Sequence, residues 1–360
     1  MDDTRIFQKI MVFLPNWVGD VVMATPALRS LRERFADSSI AYIGRKSAID
    51  TLAGCAWADT LITRGRASGL AGVWNFLGTA RSLRRQRPDL AILLPNSFRS
   101  ALLASLGGCR RIVGYRRDGR GPLLSVAVEP PRDQMGYIPT PAIDYYNKLV
   151  QAVGAAATSR RMELPLTASD ELAAEALLRQ HNFDPARPLV TLNPGAAFGR
   201  SKLWHYTRYG QLADELVRRR GAQIVIHAAP SEKPIAEQVG LAMRETPLIN
   251  FARRDSTLGL LKALLRRSRL LVTNDTGARH IGAAVGIGVV TVFGSTDPDW
   301  TTIYYDRERI VRVRVDCSPC RQPLCPQPAG PLYHQCMTAI TVDMVLQPAL
   351  ELLDQPEATA

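Results

Sequence analysis

Short apolar runs alternate with longer amphipathic stretches along most of the chain. Lys9–Leu14 (KIMVFL) has the character of a buried strand. The turn Pro15-Asn16-Trp17-Val18-Gly19-Asp20 follows it and leads into a helix over Val21–Phe35, which places Asp20 at a strand's carboxyl end. Strand-type runs recur at Ile40–Ile43 and Leu90–Leu94, with helical periodicity over Val73–Gln86, Ser97–Leu106 and Ala142–Val153. Such alternation predicts a parallel sheet with helices on both faces. The small, polar segment Gly154–Pro165 interrupts the pattern and is the expected linker. The same order then restarts: strand Leu189–Leu192 ending in Asn193-Pro194-Gly195, helix Tyr206–Arg219, strand Gln223–His227, helix Ser231–Arg244. Ile310–Val315 adds a last strand, and Val342–Leu353 a terminal helix able to pack back across the domain junction. No short-period repeat or low-complexity tract appears.

The most informative stretch is Leu270–Pro298, LLVTNDTGARHIGAAVGIGVVTVFGSTDP. An apolar strand stops at the polar knot Thr273-Asn274-Asp275-Thr276-Gly277, a small-residue helix begins, and a second strand, Val289–Phe293, follows. Asp275 and Thr276 are good N-cap types. Gly277 offers a backbone N–H unobstructed by a side chain, so this helix start suits a phosphate or pyrophosphate. His280, in the first turn, is within reach of such an anion; a purely structural histidine fits the sequence equally well.

At 360 residues the chain is long for one core, which matches the two halves of the pattern. Lys and Arg number 45 against 33 Asp and Glu, a formal charge of +12. That surplus favours acidic partners: nucleic acid, anionic lipid or a phosphorylated sugar. No basic segment followed by an apolar one opens the chain, and Ile281–Ser295, the longest nearly apolar run, falls short of the roughly 20 residues a spanning helix needs. A soluble, cytosolic protein is expected. Within Arg110–Arg120 (RRIVGYRRDGR) five arginines and two glycines predict an exposed basic loop around a short strand.

Several familiar chemistries are missing. Gly195–Lys202 lacks the ending of a phosphate-binding GK[ST] loop, and no GxGxxG follows the first strand. Asp297-Pro298-Asp299 has the form of a divalent-ion tripeptide, yet one tripeptide is a weak signal and a metal-free site is expected. Cys317, Cys320, Cys325 and Cys336 depart from paired zinc knuckles and, with Pro319, Pro323 and Pro326 among them, are expected as reduced structural thiols in a rigid loop.

Taken together, LPNWVGDVVMATPALRSLRERF, LPNSFRSALLASLGGCRRIVGYRRDGR, NPGAAFGRSKLW, TNDTGARHIGAAVG, FGSTDP and the closing CSPC…CP…HQCM resemble the bacterial ADP-heptose:lipopolysaccharide heptosyltransferases of glycosyltransferase family 9. The middle and cysteine segments are most similar to the heptosyltransferase II branch, and the motifs run in order over nearly the whole chain. The resemblance implies an α/β GT-B fold of two facing Rossmann-like domains. These are an acceptor-binding domain over 1–165 and a nucleotide-sugar domain over 166–340, with a C-terminal helix and tail over 341–360. It further implies inverting heptose transfer without metal or other cofactor, from ADP-heptose to the inner core of lipopolysaccharide, a Kdo-lipid A that carries heptose. The protein would act peripherally at the cytoplasmic face of the inner membrane.

Matched residue by residue, Asp20 falls on the family's proposed general base and Lys202 on a pyrophosphate contact. Asp275, Thr276 and Gly277 fall on the motif that holds the sugar and phosphates, and Glu232, more loosely, on a ribose contact. Arg116, Arg117 and Arg120 are the candidates for an acidic acceptor. Lys202-Leu203-Trp204-His205 and Gly277-Ala278-Arg279-His280 depart from the family's usual Lys-Arg-Trp-Pro and Gly-Pro-Met-His or Gly-Leu-Ser-His. Competing enzymes are heptosyltransferases of the I or III type and a GT-B sugar-nucleotide epimerase. A non-catalytic nucleic-acid-binding protein is disfavoured, because the arginines lack interleaved stacking aromatics.

Overall fold

Every apolar run of the first half becomes a strand of one parallel sheet. In the computed structural model, which describes residues 7–65, 69–134 and 136–356, these are β1 (Lys9–Phe13), β2 (Ser39–Gly44), β3 (Thr60–Thr63), β4 (Leu90–Leu93), β5 (Arg111–Tyr115) and β6 (Val126–Val128). They lie in the order β3-β2-β1-β4-β5-β6, all neighbours parallel. Helices α1 (Val18–Met23), α2 (Thr25–Arg34), α3 (Lys46–Thr51), α4 (Gly69–Gln86), α5 (Phe98–Leu106) and α6 (Ala142–Gln151) accompany them. A small hairpin, β7 (Arg132–Asp133) and β8 (Gly136–Tyr137), precedes α6. The exposed edge strand β3 and the short α3 carry too little apolar signal to be foreseen.

The second half repeats the plan. Strands β9 (Leu189–Asn193), β10 (Gln223–Ile226), β11 (Ile249–Asn250), β12 (Leu270–Asn274), β13 (Gly288–Phe293) and β14 (Glu308–Arg312) form a parallel sheet ordered β11-β10-β9-β12-β13-β14. Its helices are α7 (Ala168–Gln180), α8 (Tyr206–Arg220), α9 (Lys233–Ala242), α10 (Leu258–Arg267), α11 (Gly277–Ala284), α12 (Gln335–Thr338) and α13 (Val342–Asp354). One compact unit runs to Met162 and includes Asp299–Ile303; the other holds Glu163–Pro298 and the chain from Tyr304 onward. Each sheet has the doubly wound order whose connections reverse direction between two central strands, β1 and β4 in one unit, β9 and β12 in the other. The crevice outside the carboxyl ends of those strands is where such sheets take ligands.

One expected helix is corrected. The helix expected over Val21–Phe35 is two helices that break at Ala24. Pro26 has no N–H to donate to the Val22 carbonyl, and the Thr25 hydroxyl takes that acceptor instead, at 2.7 Å. Because α1 starts at Val18, Gly19 and Asp20 lie in its first turn and not in the preceding loop. The terminal helix α13 lies in the second unit, where its apolar face (Val345, Leu346, Ala349, Leu352) packs on α8, β12, β13 and β14. The last four residues of the expected tail lie outside the described residues. The boundary between the two units, after Met162, falls inside the expected linker Gly154–Pro165, whose first part is held on the first unit: the Ala157 amide donates to Ser30 Oγ (2.7 Å) and Asn147 Nδ2 to the Ser159 carbonyl (2.8 Å).

Candidate active site

β9 and β12 end on the buried Asn193 and Asn274, and the buried His227 directly follows β10, so the three lie together at the carboxyl edge of the second unit's sheet. Asn274 ties the surrounding loops together. Its Nδ2 donates to the carbonyls of Pro194 (2.8 Å) and Gly195 (3.2 Å), while Oδ1 accepts from the Trp204 amide (3.2 Å) and the Tyr209 hydroxyl (3.1 Å). Asn193 Nδ2 donates to the hydroxyls of Thr273 and Thr276, both at 3.3 Å. Its Oδ1 lies 2.9 Å from His227 Nδ1, and His227 Nε2 lies 3.0 Å from Ser256 Oγ. Burial lowers the His227 pKa to about 4, so the ring is neutral over the ordinary pH range.

This chain ends at the start of α11. Thr276 is the N-cap residue by backbone conformation, but its side chain caps nothing, since the hydroxyl is engaged with Asn193 and Thr273. The first amides of α11, Gly277 among them, thus receive no acceptor from the N-cap side chain, and the positive end of the helix dipole lies there. Lys202 reaches the same corner: its ammonium donates to Asp275 Oδ2 (2.6 Å) and to the Asp275 carbonyl (2.9 Å), which leaves one of three donors for a ligand.

Asp275 also accepts from the Thr296 hydroxyl (2.7 Å) and stands 3.6 Å from Arg279. Burial pushes its pKa up, but Lys202, Arg279 and the two hydrogen bonds outweigh that and hold it below the ordinary value. Arg279 is wholly buried. It forms a two-pronged pair with Glu308 on β14 (2.5 and 2.9 Å), and Phe293 lies beneath its guanidinium. His280 is buried too, with its pKa lowered to about 3 by burial and then by Arg279, and its Nδ1 has no partner among the described residues. Glu232 projects over Gly195, where a Cβ would stand 2.1 Å from the carboxylate carbon and push it aside. Burial raises the Glu232 pKa.

The cysteine segment buttresses this corner. Pro323 carbonyl accepts from the Ser201 amide (3.1 Å), the Gln322 carbonyl from the Ser201 hydroxyl (2.5 Å), and His334 Nε2 meets the Ser201 carbonyl (2.9 Å). Among the described residues no three His, Cys, Asp or Glu side chains are grouped to hold a metal ion. All six cysteines are unbridged, and Asp297 pairs with Arg321 at 2.8 Å.

Asp20, Arg116, Arg117 and Arg120 belong to the first unit. Asp20 is half-buried at the carboxyl end of β1, near the buried Tyr146 of α6. Burial first, and then the Asp20 charge, push that tyrosine's hydroxyl well above its usual pKa. The neighbouring Tyr145 hydroxyl donates to Asn96 Oδ1 at 3.2 Å. Arg116 and Arg117 line an open pocket of about 520 Å³ together with Arg132, which the sequence reading missed. Arg117 and Arg132 both stack on Tyr137, at 3.9 and 4.3 Å from the ring centre.

Arg120 departs from the exposed basic loop expected for it. It is completely buried, with Nε on the Tyr115 carbonyl (2.9 Å), Nη1 on the Pro95 carbonyl and Nη2 on Asn96 Oδ1 (3.0 Å). Its guanidinium is occupied in holding the loop's shape.

Comparison with known proteins places this geometry. The model of glycosyltransferase family 9 (heptosyltransferase) matches residues 77–329. Lipopolysaccharide heptosyltransferase 2 of Escherichia coli strain K12 is 28% identical over 97% of this chain and 100% of its own length. The structure of the E. coli ADP-heptose lps heptosyltransferase II superposes with a TM-score of 0.77 at 25% identity, covering 96% of this chain and 98% of that one. A glycosyl transferase family 9 protein from Veillonella parvula DSM 2008 gives 0.83 at 20% identity over 98% and 99%, a likeness of fold.

Proposed function

Since the chain belongs to glycosyltransferase family 9, we propose that it transfers heptose from ADP-heptose to the inner core of lipopolysaccharide, as heptosyltransferase II does. The observation that carries the donor assignment is the Lys202–Asp275 pair at the start of α11. There a lysine N–H and the first amides of α11 can converge on a diphosphate. Glu232 over Gly195 suits a ribose diol, and His280 Nδ1 offers a further polar contact.

In the proposed reaction Asp20 takes the proton of the acceptor hydroxyl as its oxygen attacks the anomeric carbon. The bond from that carbon to the diphosphate breaks, and ADP leaves with its developing charge met by Lys202 and the α11 amides. A single displacement of this kind inverts the anomeric configuration and needs no metal ion. Arg116, Arg117 and Arg132 would hold carboxylates or phosphates of the acceptor. That acceptor is anchored in a bilayer, so the enzyme would work peripherally at the cytoplasmic face of the inner membrane; among the described residues no helix is long and apolar enough to cross one.

The test is incubation with ADP-heptose and a series of truncated core lipids, with products identified by mass spectrometry. One added heptose on a heptose-bearing core is expected. Nucleotide release without a glycosylated product would overturn the assignment.

A further inference from the structure

Helix α4 carries two apolar stripes, and the fold covers one of them. Gly72, Ala80 and Leu83 face the first unit's core. On the other side Leu70 (80% exposed), Val73 (54%) and Trp74 (66%) stand in solvent at spacings of three and four residues, so they form one continuous stripe. Monomeric proteins rarely leave such a stripe bare without a use for it. At the start of α5, Phe98 is exposed as well, and Arg99 beside it stacks on Phe76 of α4 at 5.2 Å, which brings the two helices' surfaces together.

The segment that carries this stripe holds charge of one sign. From Thr60 to Pro88 the sequence contains six arginines and no acidic residue. Arg81, Arg84 and Arg85 continue along exposed positions of α4. Arg45 and Arg99 lie close enough to Arg64 to lower its pKa, after the larger effect of burial. An amphipathic tryptophan among aliphatic residues, rimmed by arginines, is the composition that settles at the headgroup level of an anionic bilayer.

We propose that the α4 face, Leu70, Val73 and Trp74 with the arginines around them, docks the protein on an anionic phospholipid surface. The choice of a bilayer rests on the lipid-linked acceptor proposed above, and charge complementarity supports it independently. Docking would turn a three-dimensional search for a membrane-bound acceptor into a two-dimensional one, because apolar insertion and arginine–phosphate attraction act on the same face.

The test is co-sedimentation of the full-length protein with phosphatidylethanolamine vesicles, with and without phosphatidylglycerol. It is run beside turnover of a deacylated, soluble acceptor and of the same acceptor embedded in vesicles. The parent should bind the anionic vesicles, lose them as salt rises, and show a blue shift of tryptophan emission. Val73→Ser with Trp74→Ser, at exposed positions that the fold does not use, should lower vesicle partitioning by about tenfold or more. Arg81→Gln with Arg84→Gln should abolish the preference for anionic lipid. Both variants should turn over the soluble acceptor at the parental rate and the vesicle-bound acceptor more slowly. Parental vesicle binding in both variants, or no binding by the parent, overturns the proposal. So does a parental dimer, seen by light scattering, that Val73→Ser/Trp74→Ser converts to monomer. Vesicle binding that follows this pattern while neither acceptor is used would overturn the heptosyltransfer reading and leave the docking surface standing.

Discussion

The Lys202 ammonium lies 2.6 Å from Asp275 Oδ2, with the two side chains only 12% and 7% exposed. A pair this buried is costly to break from one side, since the remaining charge loses its partner, and Thr296 and Arg279 compensate Asp275 only in part. Lys202→Met should therefore lower stability on the order of 3 kcal/mol. It should also weaken ADP-sugar binding by about 1.5–3 kcal/mol through the lost charge-assisted contact. Adding Asp275→Asn should restore part of the stability and none of the donor affinity. Thermal melts and calorimetry of the two variants separate these effects; donor affinity unchanged in Lys202→Met would remove the lysine from the site.

His227 predicts a pH dependence of stability. Its pKa falls from 6.5 to about 4 on folding. Above pH 6.5 the ring is neutral in both states and its full contribution is present. As pH falls from about 6.5 towards 4, the unfolded chain takes up the proton and the folded one does not, so stability is lost by up to about 1.4 kcal/mol per unit. His280, lowered to about 3, acts in the same direction over a wider window. Urea midpoints at pH 7 and pH 5 should differ clearly in the parent and less in His227→Gln; equal differences would place the titration elsewhere.

Arg120 and the Arg116–Arg117 pair should separate by phenotype. Arg120→Met strands the carbonyls of Tyr115 and Pro95 and should cost at least about 2 kcal/mol of stability. Arg116→Ala with Arg117→Ala removes exposed or half-exposed groups and should leave the melting temperature nearly unchanged while raising the acceptor KM. A raised KM in Arg120→Met at parental stability would return that residue to the acceptor site.

The strand and helix order, and the helix start at Thr276-Gly277, are legible because apolar periodicity and cap residues are local signals. Residues that act through distant partners are not. Arg279 reads as a surface arginine on a short helix until Glu308 is seen 29 positions away, and the arginine count of the basic loop hides that Arg120 points inward at three acceptors. Asn193, His227 and Asn274 leave a trace in the sequence. Three apolar strands, LVTLN, QIVIH and LLVTN, each give way to a buried polar residue at the carboxyl end, which a central parallel strand tolerates only where that residue is fully bonded. The break between α1 and α2 was likewise readable from Pro26 alone.

Asp20→Asn tests the central claim most directly. The residue sits in the first turn of α1, where asparagine is sterically equivalent, yet its amide cannot accept a proton from a sugar hydroxyl near neutral pH. Steady-state turnover with ADP-heptose and a heptose-bearing core lipid should fall by roughly 10² or more, with melting temperature and donor affinity kept. The parent's kcat should also drop at acid pH as the carboxylate protonates in the complex, and that limb should disappear in the variant. Near-parental turnover of Asp20→Asn with the acid limb intact would contradict the mechanism and place the base elsewhere.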